Sequence, residues 1–322
     1  MRHRLAASIG ALLCIATACT AWGQAYPTRP IRMIIPQPAG GTMDTNARAL
    51  SEPLARELGQ NIVIDNRSGA NGIIAGEMLA KAPADGHTLL FTSSSLIYNQ
   101  VISKKVPFDA LVDFIPITQM AQTFGYIVLA NPQIGVTTIK ELVELSKKRQ
   151  VAYGSGGIGN SQHFLGELIN IRSGAKLVHV PYKGLAPLLA AVMGNEVQVG
   201  LATPLTVIQH IKAGRLRPLA YTGDKRWPGM SELPTMAEAG VADCVFEPGG
   251  HGIYAPAKTP MTVVNQIHSA VVQALKTQKM VDHLATGGYV AVGSTPANFR
   301  LYLEADLKRI GEIARLAKIE AQ

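Results

Sequence analysis

The chain reads as an α/β protein of two domains, each a mostly parallel sheet flanked by helices, with a ligand cleft between them. Three observations lead there. Short apolar runs alternate with segments of helical spacing almost from end to end. Two of these alternations pass through glycine-rich turns, at residues 36–43 and 154–159. The third is size: 322 residues with three cysteines, two of them Cys14 and Cys19, bury a core without an internal disulfide, and this length favours two domains.

The start of the chain sets the compartment. Met1-Arg2-His3-Arg4 is basic, and Leu5 to Ala18 is apolar but too short to span a bilayer. Residues 1–23 are therefore expected to be a signal peptide, with the mature protein starting at Gln24 or Tyr26. Cleavage after Ala18 would leave Cys19 at the terminus, but Ala16 suits a lipoprotein signal poorly, and an uncleaved anchor is the other alternative. The expected product is exported, periplasmic and soluble. Its formal charge falls from +8 to +6 once Arg2 and Arg4 are removed. Lysines and arginines are scattered with few aromatics between them, which argues against nucleic acid and for mild attraction of small anions.

Ile31–Ile35 is an apolar run of the kind that forms a strand buried on both faces. Pro36-Gln37-Pro38-Ala39-Gly40-Gly41-Thr42-Met43 is its loop, and a helix follows from about Asp44 to Leu58, with Ala47, Leu50, Leu54 and Leu58 on one face. Asp44 suits two roles, N-cap and ligand contact, which are compatible because a cap also fixes the loop. Strand Ile62–Asp65 leads through Asn66–Gly72 to a helix ending near Lys81. Strand Thr88–Phe91 ends in Thr92-Ser93-Ser94-Ser95, hydroxyls at the edge where open α/β sheets bind ligands; solvated loop serines are the alternative.

Thr138-Ile139-Lys140-Glu141 is a capping box for a helix to about Lys148. Strand Val151–Tyr153 then enters the second glycine turn, and Phe164, Leu165, Leu168 and Ile169 mark the helix beyond it. A strand that turns through glycines into a helix start makes an anion site. The first helical N–H groups lack intrahelical acceptors, the macrodipole adds positive charge, and glycine admits a ligand close to the backbone. Gly154-x-Gly156-x-x-Gly159 also spells the dinucleotide fingerprint, but that needs an acidic residue about 20 positions on, and Gly174–Val180 has none. Ser155, Asn160, Ser161 and His163 suit a small oxyanion instead. A purely structural turn is the alternative, and the matching loop after Ile35 weighs against it.

Strand Leu177–Val180, helix Leu185–Met193, strand Val197–Leu201, a helix opened by Thr203-Pro204 and strand Leu216–Thr222 continue the alternation. Lys183 could pair with an anion, but a solvated lysine beside a helix start is the preferred reading. Strand Gly252–Ala255 precedes two helices opened by Thr259-Pro260 and Thr295-Pro296, a cap followed by proline at the first helical position. The last helix, to about Ala317, aligns Phe299, Leu303, Leu307 and Ile310.

No catalytic set emerges. The mature histidines show neither HxxxH nor HxH spacing, so no metal is expected, and no cofactor either. Gly-x-Ser-x-Gly is absent, and Cys244 has no activating strand–turn–helix context. The missing nucleophile–base pair favours a non-enzymatic receptor over a secreted hydrolase or lyase. A solute sensor for a signalling partner is the third reading.

Taken in order, several motifs resemble the periplasmic receptors of tripartite tricarboxylate transporters, also called Bug proteins. They are Ala39-Gly40-Gly41-Thr42-Met43-Asp44, Asp65-Asn66-Arg67-Ser68-Gly69-Ala70, Tyr153 to His163, Val180-Pro181-Tyr182-Lys183-Gly184, Ile211-Lys212-Ala213-Gly214 and Leu233-Pro234-Thr235-Met236-Ala237-Glu238-Ala239-Gly240. The resemblance implies a type II binding-protein fold, with residues 24–124 plus 247–322 as domain I and 125–246 as domain II. It implies a small organic carboxylate held mostly by backbone N–H groups and water, delivery to a permease of two integral subunits, and a monomer. The residues expected at the ligand are Ala39, Gly40, Gly41, Thr42, Met43 and Asp44, then Ser94, then Ser155, Gly156, Gly157, Asn160, Ser161 and His163, and Thr203. Three positions depart from the family pattern: Gln37 for phenylalanine, Gly250-His251 for an aromatic pair, and Ala202 for aspartate. These changes widen and polarise the expected cleft.

Overall fold

The computed structural model describes residues 26–247, 249–319 and 321; the expected signal peptide lies outside them. One sheet takes β1 (Ile31–Ile35), β2 (Ile62–Asn66), β3 (Thr88–Ser93), β4 (Phe114–Gln122), β10 (His251–Pro256) and β11 (Val290–Ala291), in the order β11-β4-β10-β3-β1-β2. The other takes β5 (Ile127–Ala130), β6 (Val151–Ser155), β7 (Leu177–Pro181), β8 (Val199–Ala202) and β9 (Arg217–Tyr221), in the order β7-β6-β8-β5-β9. The helices are α1 (Thr42–Leu58), α2 (Ile73–Ala80), α3 (Ser95–Ile102), α4 (Ile139–Lys148), α5 (Ser161–Ser173), α6 (Leu185–Met193), α7 (Pro204–Lys212), α8 (Met261–Leu275), α9 (Gln278–Gly287) and α10 (Pro296–Ala317).

Each sheet is mostly of one sense, with one reversed strand in its interior. In the first sheet β10 runs antiparallel to β3 and β4, and in the second β5 runs antiparallel to β8 and β9. Each is the first strand laid down after the chain crosses between sheets, once between Gln122 and Ile127 and once between Tyr221 and His251. The crossings leave from strand C-terminal ends. A strand that starts at that end has to run back against its neighbours.

Burial follows the strand period of two. Ile31, Met33 and Ile35 face α1 and α8 through Leu50, Leu54, Val264 and Ile267, while Ile34 joins the core on the other face. The capping box forms as expected: Thr138 Oγ1 accepts the Glu141 N–H at 3.1 Å, and Glu141 accepts the Thr138 N–H at 3.3 Å. Thr295 caps α10 by accepting the Asn298 N–H at 3.2 Å, with Pro296 at the first helical position.

Other expectations are corrected. The N-cap of α1 is Gly41, so the helix starts at Thr42, and Asp44 sits inside its first turn. Pro260, not Thr259, caps α8, because its ψ of 137° is still extended. The sequence reading gave no element for α3, β4, β5 or α9.

The two sheets share a wall of core. α10 packs on β4 and α3 and also on α5. Tyr98 of α3 meets Phe164 of α5 edge to face at 5.5 Å, and its hydroxyl donates to Asp306 at 2.7 Å. Arg309 bonds the same carboxylate and lies 4.4 Å over the Phe246 ring.

Candidate functional site

A cavity of about 740 Å³ lies between the sheets, at the C-terminal ends of β1, β3, β6 and β8. Its wall carries hydroxyls, amides and one imidazole; Lys183 is the only charged side chain on it among the described residues.

The first loop is braced from behind. Gly40 has a φ of +82°, and Gly41 donates to the Pro38 carbonyl at 3.2 Å, closing a tight turn. Buried Asp44 accepts the Gly40 N–H at 2.9 Å, the Arg48 guanidinium at 2.9 Å and the Asn66 amide at 2.9 Å. Hydrogen bonding from Arg48, with Gly40 and Asn66 adding to it, holds its carboxyl at about 2 in spite of burial. Asn66 also donates to the Gln37 carbonyl at 2.9 Å. The Gln37 side chain turns inward, and its Oε1 accepts the Met43 N–H at 3.0 Å.

The second loop is held the same way. Gln162 Oε1 accepts the Gly156 N–H at 2.6 Å and the Asn160 amide at 3.2 Å, while its Nε2 donates to the Leu201 carbonyl at the end of β8. Asn160 caps α5 by accepting the His163 N–H at 3.0 Å. His163 accepts the Gly159 N–H at Nδ1 (3.1 Å) and stacks on His179 at 3.9 Å. Burial lowers His163 to about 4; burial, with His163 beside it, lowers His179 to about 3. Tyr126, on the crossing between sheets, meets Ser161 hydroxyl to hydroxyl at 2.7 Å, and burial pushes its phenol up to about 12.

Of the residues expected at the ligand, Thr42, Met43, Gly156, Asn160, Ser161 and Thr203 line the cavity. Ala39 and Gly40 stand exposed on the outer crest of their loop, and Gly41 is tucked beside Gln37, off the wall. Asp44 is off the wall with its oxygens engaged. Ser94 is buried while its neighbours Ser93 and Ser95 face the cavity. Ser155 and Gly157 belong to the second loop but lie off the cavity wall, where the Ser155 hydroxyl donates to the Gly157 carbonyl at 2.9 Å and lies 2.6 Å from His179 Nε2. That Ser–His contact is fully buried on the serine side, away from the cavity. His163 is a brace for the loop.

Most loop N–H groups are thus satisfied within the protein. Those of Thr42, Asp44, Ser161 and Gln162, in the first turns of α1 and α5, have no acceptor among the described residues, and of these residues Thr42, Ser161 and Gln162 line the cavity. Gln162, Tyr126, Asn71 and His251 also line the cavity and were not among the expected residues. Of these, Gln162 fell within the Tyr153–His163 motif and His251 was a departure from the family pattern; Gln37, another such departure, lines the cavity as well.

Residues 46–318 match the model of the tripartite tricarboxylate transporter family receptor. The chain belongs to this family. It is 32% identical to protein BugT of Bordetella pertussis over 317 residues, which is 97% of each chain. Among solved structures, Rpa4515 of R. palustris, determined with adipate, superposes with a TM-score of 0.83 at 31% identity, covering 92% of this chain and 100% of that one. The periplasmic binding protein BugD gives 0.82 at 28% identity, with 92% and 100% covered. The two-domain, type II-like α/β architecture of these receptors is therefore this chain's own. No described helix is long and apolar enough to cross a membrane.

Proposed function

We propose that this family member is a periplasmic receptor that holds a small organic carboxylate between two domains, residues 24–124 plus 247–322 and 125–246, and delivers it to a tripartite tricarboxylate-type permease. The observation that carries the reading is the pair of helix starts, Thr42 and Ser161, at a cavity wall that bears no carboxylate among the described residues. Two helix N-termini and the hydroxyls of Thr42, Ser161 and Tyr126 favour an anion over a neutral or cationic solute. The likeness to an adipate-bound receptor supports an acid as the ligand class. The buried Ser155–His179 pair does not reach the cavity wall, and bound ligand is expected back chemically unchanged after long incubation.

Titration calorimetry over a panel of mono-, di- and tricarboxylates tests the reading. A binder at 100 times its dissociation constant adds about 2.7 kcal/mol of stability in a parallel thermal-shift screen. Methyl esterification of the held carboxylate lowers affinity at least about tenfold. Lys183→Ala costs less than about 1.5 kcal/mol, since no ion pair carries the ligand. Gly156→Val does more damage, because a Cβ there lies 3.0 Å from Asn160 Nδ2 and 3.1 Å from Gln162 Oε1. If Lys183→Ala abolishes binding while Gly156→Val is silent, a side-chain ion pair holds the ligand and the reading fails. Export is checked by intact mass of periplasmic material, expected to start at Gln24 or Tyr26; a retained leader overturns that part.

A further inference from the structure

A polar relay runs from the cavity into the first sheet's helical layer. His251, the first residue of β10, lies on the cavity wall with its Nδ1 2.9 Å from Asn46 Nδ2. Asn46 Oδ1 lies 2.8 Å from Nε2 of His283 on α9. An amide nitrogen only donates, so His251 accepts at Nδ1, and a neutral imidazole then carries its proton on Nε2. The ring cannot turn away easily. Phe91 meets it edge-on at 5.4 Å, Tyr289 lies 5.1 Å off, and Asn46 is 2% exposed with both ends of its amide engaged. The Nδ1 edge faces Asn46, and the Nε2–H has no acceptor among the described residues.

We infer that His251 is a specificity-determining donor, reading a second hydrogen-bond acceptor on the ligand apart from the carboxylate at the helix starts. This rests on the carboxylate reading above. The acceptor is an oxygen of a second carboxylate, an amide or a ketone. Because the ring is a neutral donor, it separates acceptor-bearing acids from plain alkyl acids and depends little on the charge of the second group. Asn46 fixes both the tautomer and the ring. It lies four residues after Thr42 on α1, so this reader is tied to the helix whose start faces the carboxylate, about one turn further along.

The test compares adipate, its monoamide and hexanoate by calorimetry, with the four-carbon series succinate, succinamate and butyrate beside them. Wild type is expected to bind the diacid and the amide-acid of at least one series at least tenfold tighter than the plain acid. His251→Phe brings the three acids within about twofold of one another, whatever its effect on the plain acid's own affinity, while His251→Gln, which retains a donor, keeps much of the preference. On the wild type itself, the His251 Nε2–H resonance shifts with diacid and amide-acid but not with the plain acid, a readout that needs no variant to fold. Full preference in a His251→Phe that still binds hexanoate overturns the assignment, as does a resonance unmoved by a bound diacid. A wild type that binds all three equally overturns it and leaves the carboxylate reading standing. A wild type that binds no acid in either series overturns both.

Discussion

Gly159 offers a measurable handle on how the two sheets meet beside the cleft. It belongs to the second loop, has a φ of +75°, and a Cβ built on it would stand 1.7 Å from Cδ1 of Ile102 on α3 and 3.0 Å from its Cγ1. Ile102 is only 5% exposed, so the methyl has little room to retreat. Gly159→Ala therefore meets two costs: about 1–2 kcal/mol for an alanine in left-handed backbone, and about 1–3 kcal/mol for overpacking. Ile102→Val removes the offending methyl at a cost of about 0.5–1.5 kcal/mol. In the double variant the 1.7 Å clash is removed, leaving only the tight 3.0 Å approach to Cγ1, and the left-handed backbone cost stays. The pair should thus be less destabilising than the sum of the singles by about 1–3 kcal/mol. Urea unfolding of the four proteins, with slopes compared, gives the cycle. Additivity within about 0.5 kcal/mol would refute the contact and the approach of the two halves that it reports.

Three further outcomes follow from the site. Asp44→Asn should destabilise by about 1–3 kcal/mol at neutral pH, the cost of weakening the Gly40, Asn66 and Arg48 contacts. Since the native carboxyl titrates at about 2, below its ordinary range, the wild-type advantage is complete above pH ~4 and vanishes as pH falls through 2; an advantage unchanged at pH 2 sinks the account. His163, His179 and His251 are held neutral, at about 4, 3 and 4. The unfolded chain binds more protons below ~6.5, so melting temperature should fall from pH 6.5 towards pH 4, with a shallower fall in His163→Gln; identical slopes count against it. Gln37→Ala releases the Met43 N–H, and acid affinity should rise about fivefold, near 1 kcal/mol; weaker binding would mean that Gln37 touches the ligand itself.

What was legible in the sequence was local. The Thr138 capping box, the Thr295-Pro296 start and the apolar run Ile31–Ile35 each depend on neighbours within a few positions. β4 was not legible, because Pro116 interrupts its pattern and Thr118 and Gln119 are buried polar residues that break the apolar run, their side chains donating to the Gln119 carbonyl and to Gln122. α3 buries residues on every side, Asn99 included, so it shows no polar face to set a helical period. In the site the glycine loops stood out, but their N–H partners did not. Whether Gln37 or Gln162 reaches back to a loop donor depends on turn geometry. The relay from His251 through Asn46 to His283 joins residues about 200 positions apart, a pairing only the fold creates.

The place of β10 between β3 and β4 has a consequence for the order of assembly. The N-terminal sheet has no centre until residues beyond 250 arrive, whereas the strands of the other sheet all fall between residues 127 and 221. The half encoded later should therefore become protected first. Pulse-labelled hydrogen exchange during refolding should show protection in β6 and β8 ahead of β3; the reverse order would contradict it. A chain built this way leaves β1, β2 and β3 without the strand that joins them to β4 until β10 has been made.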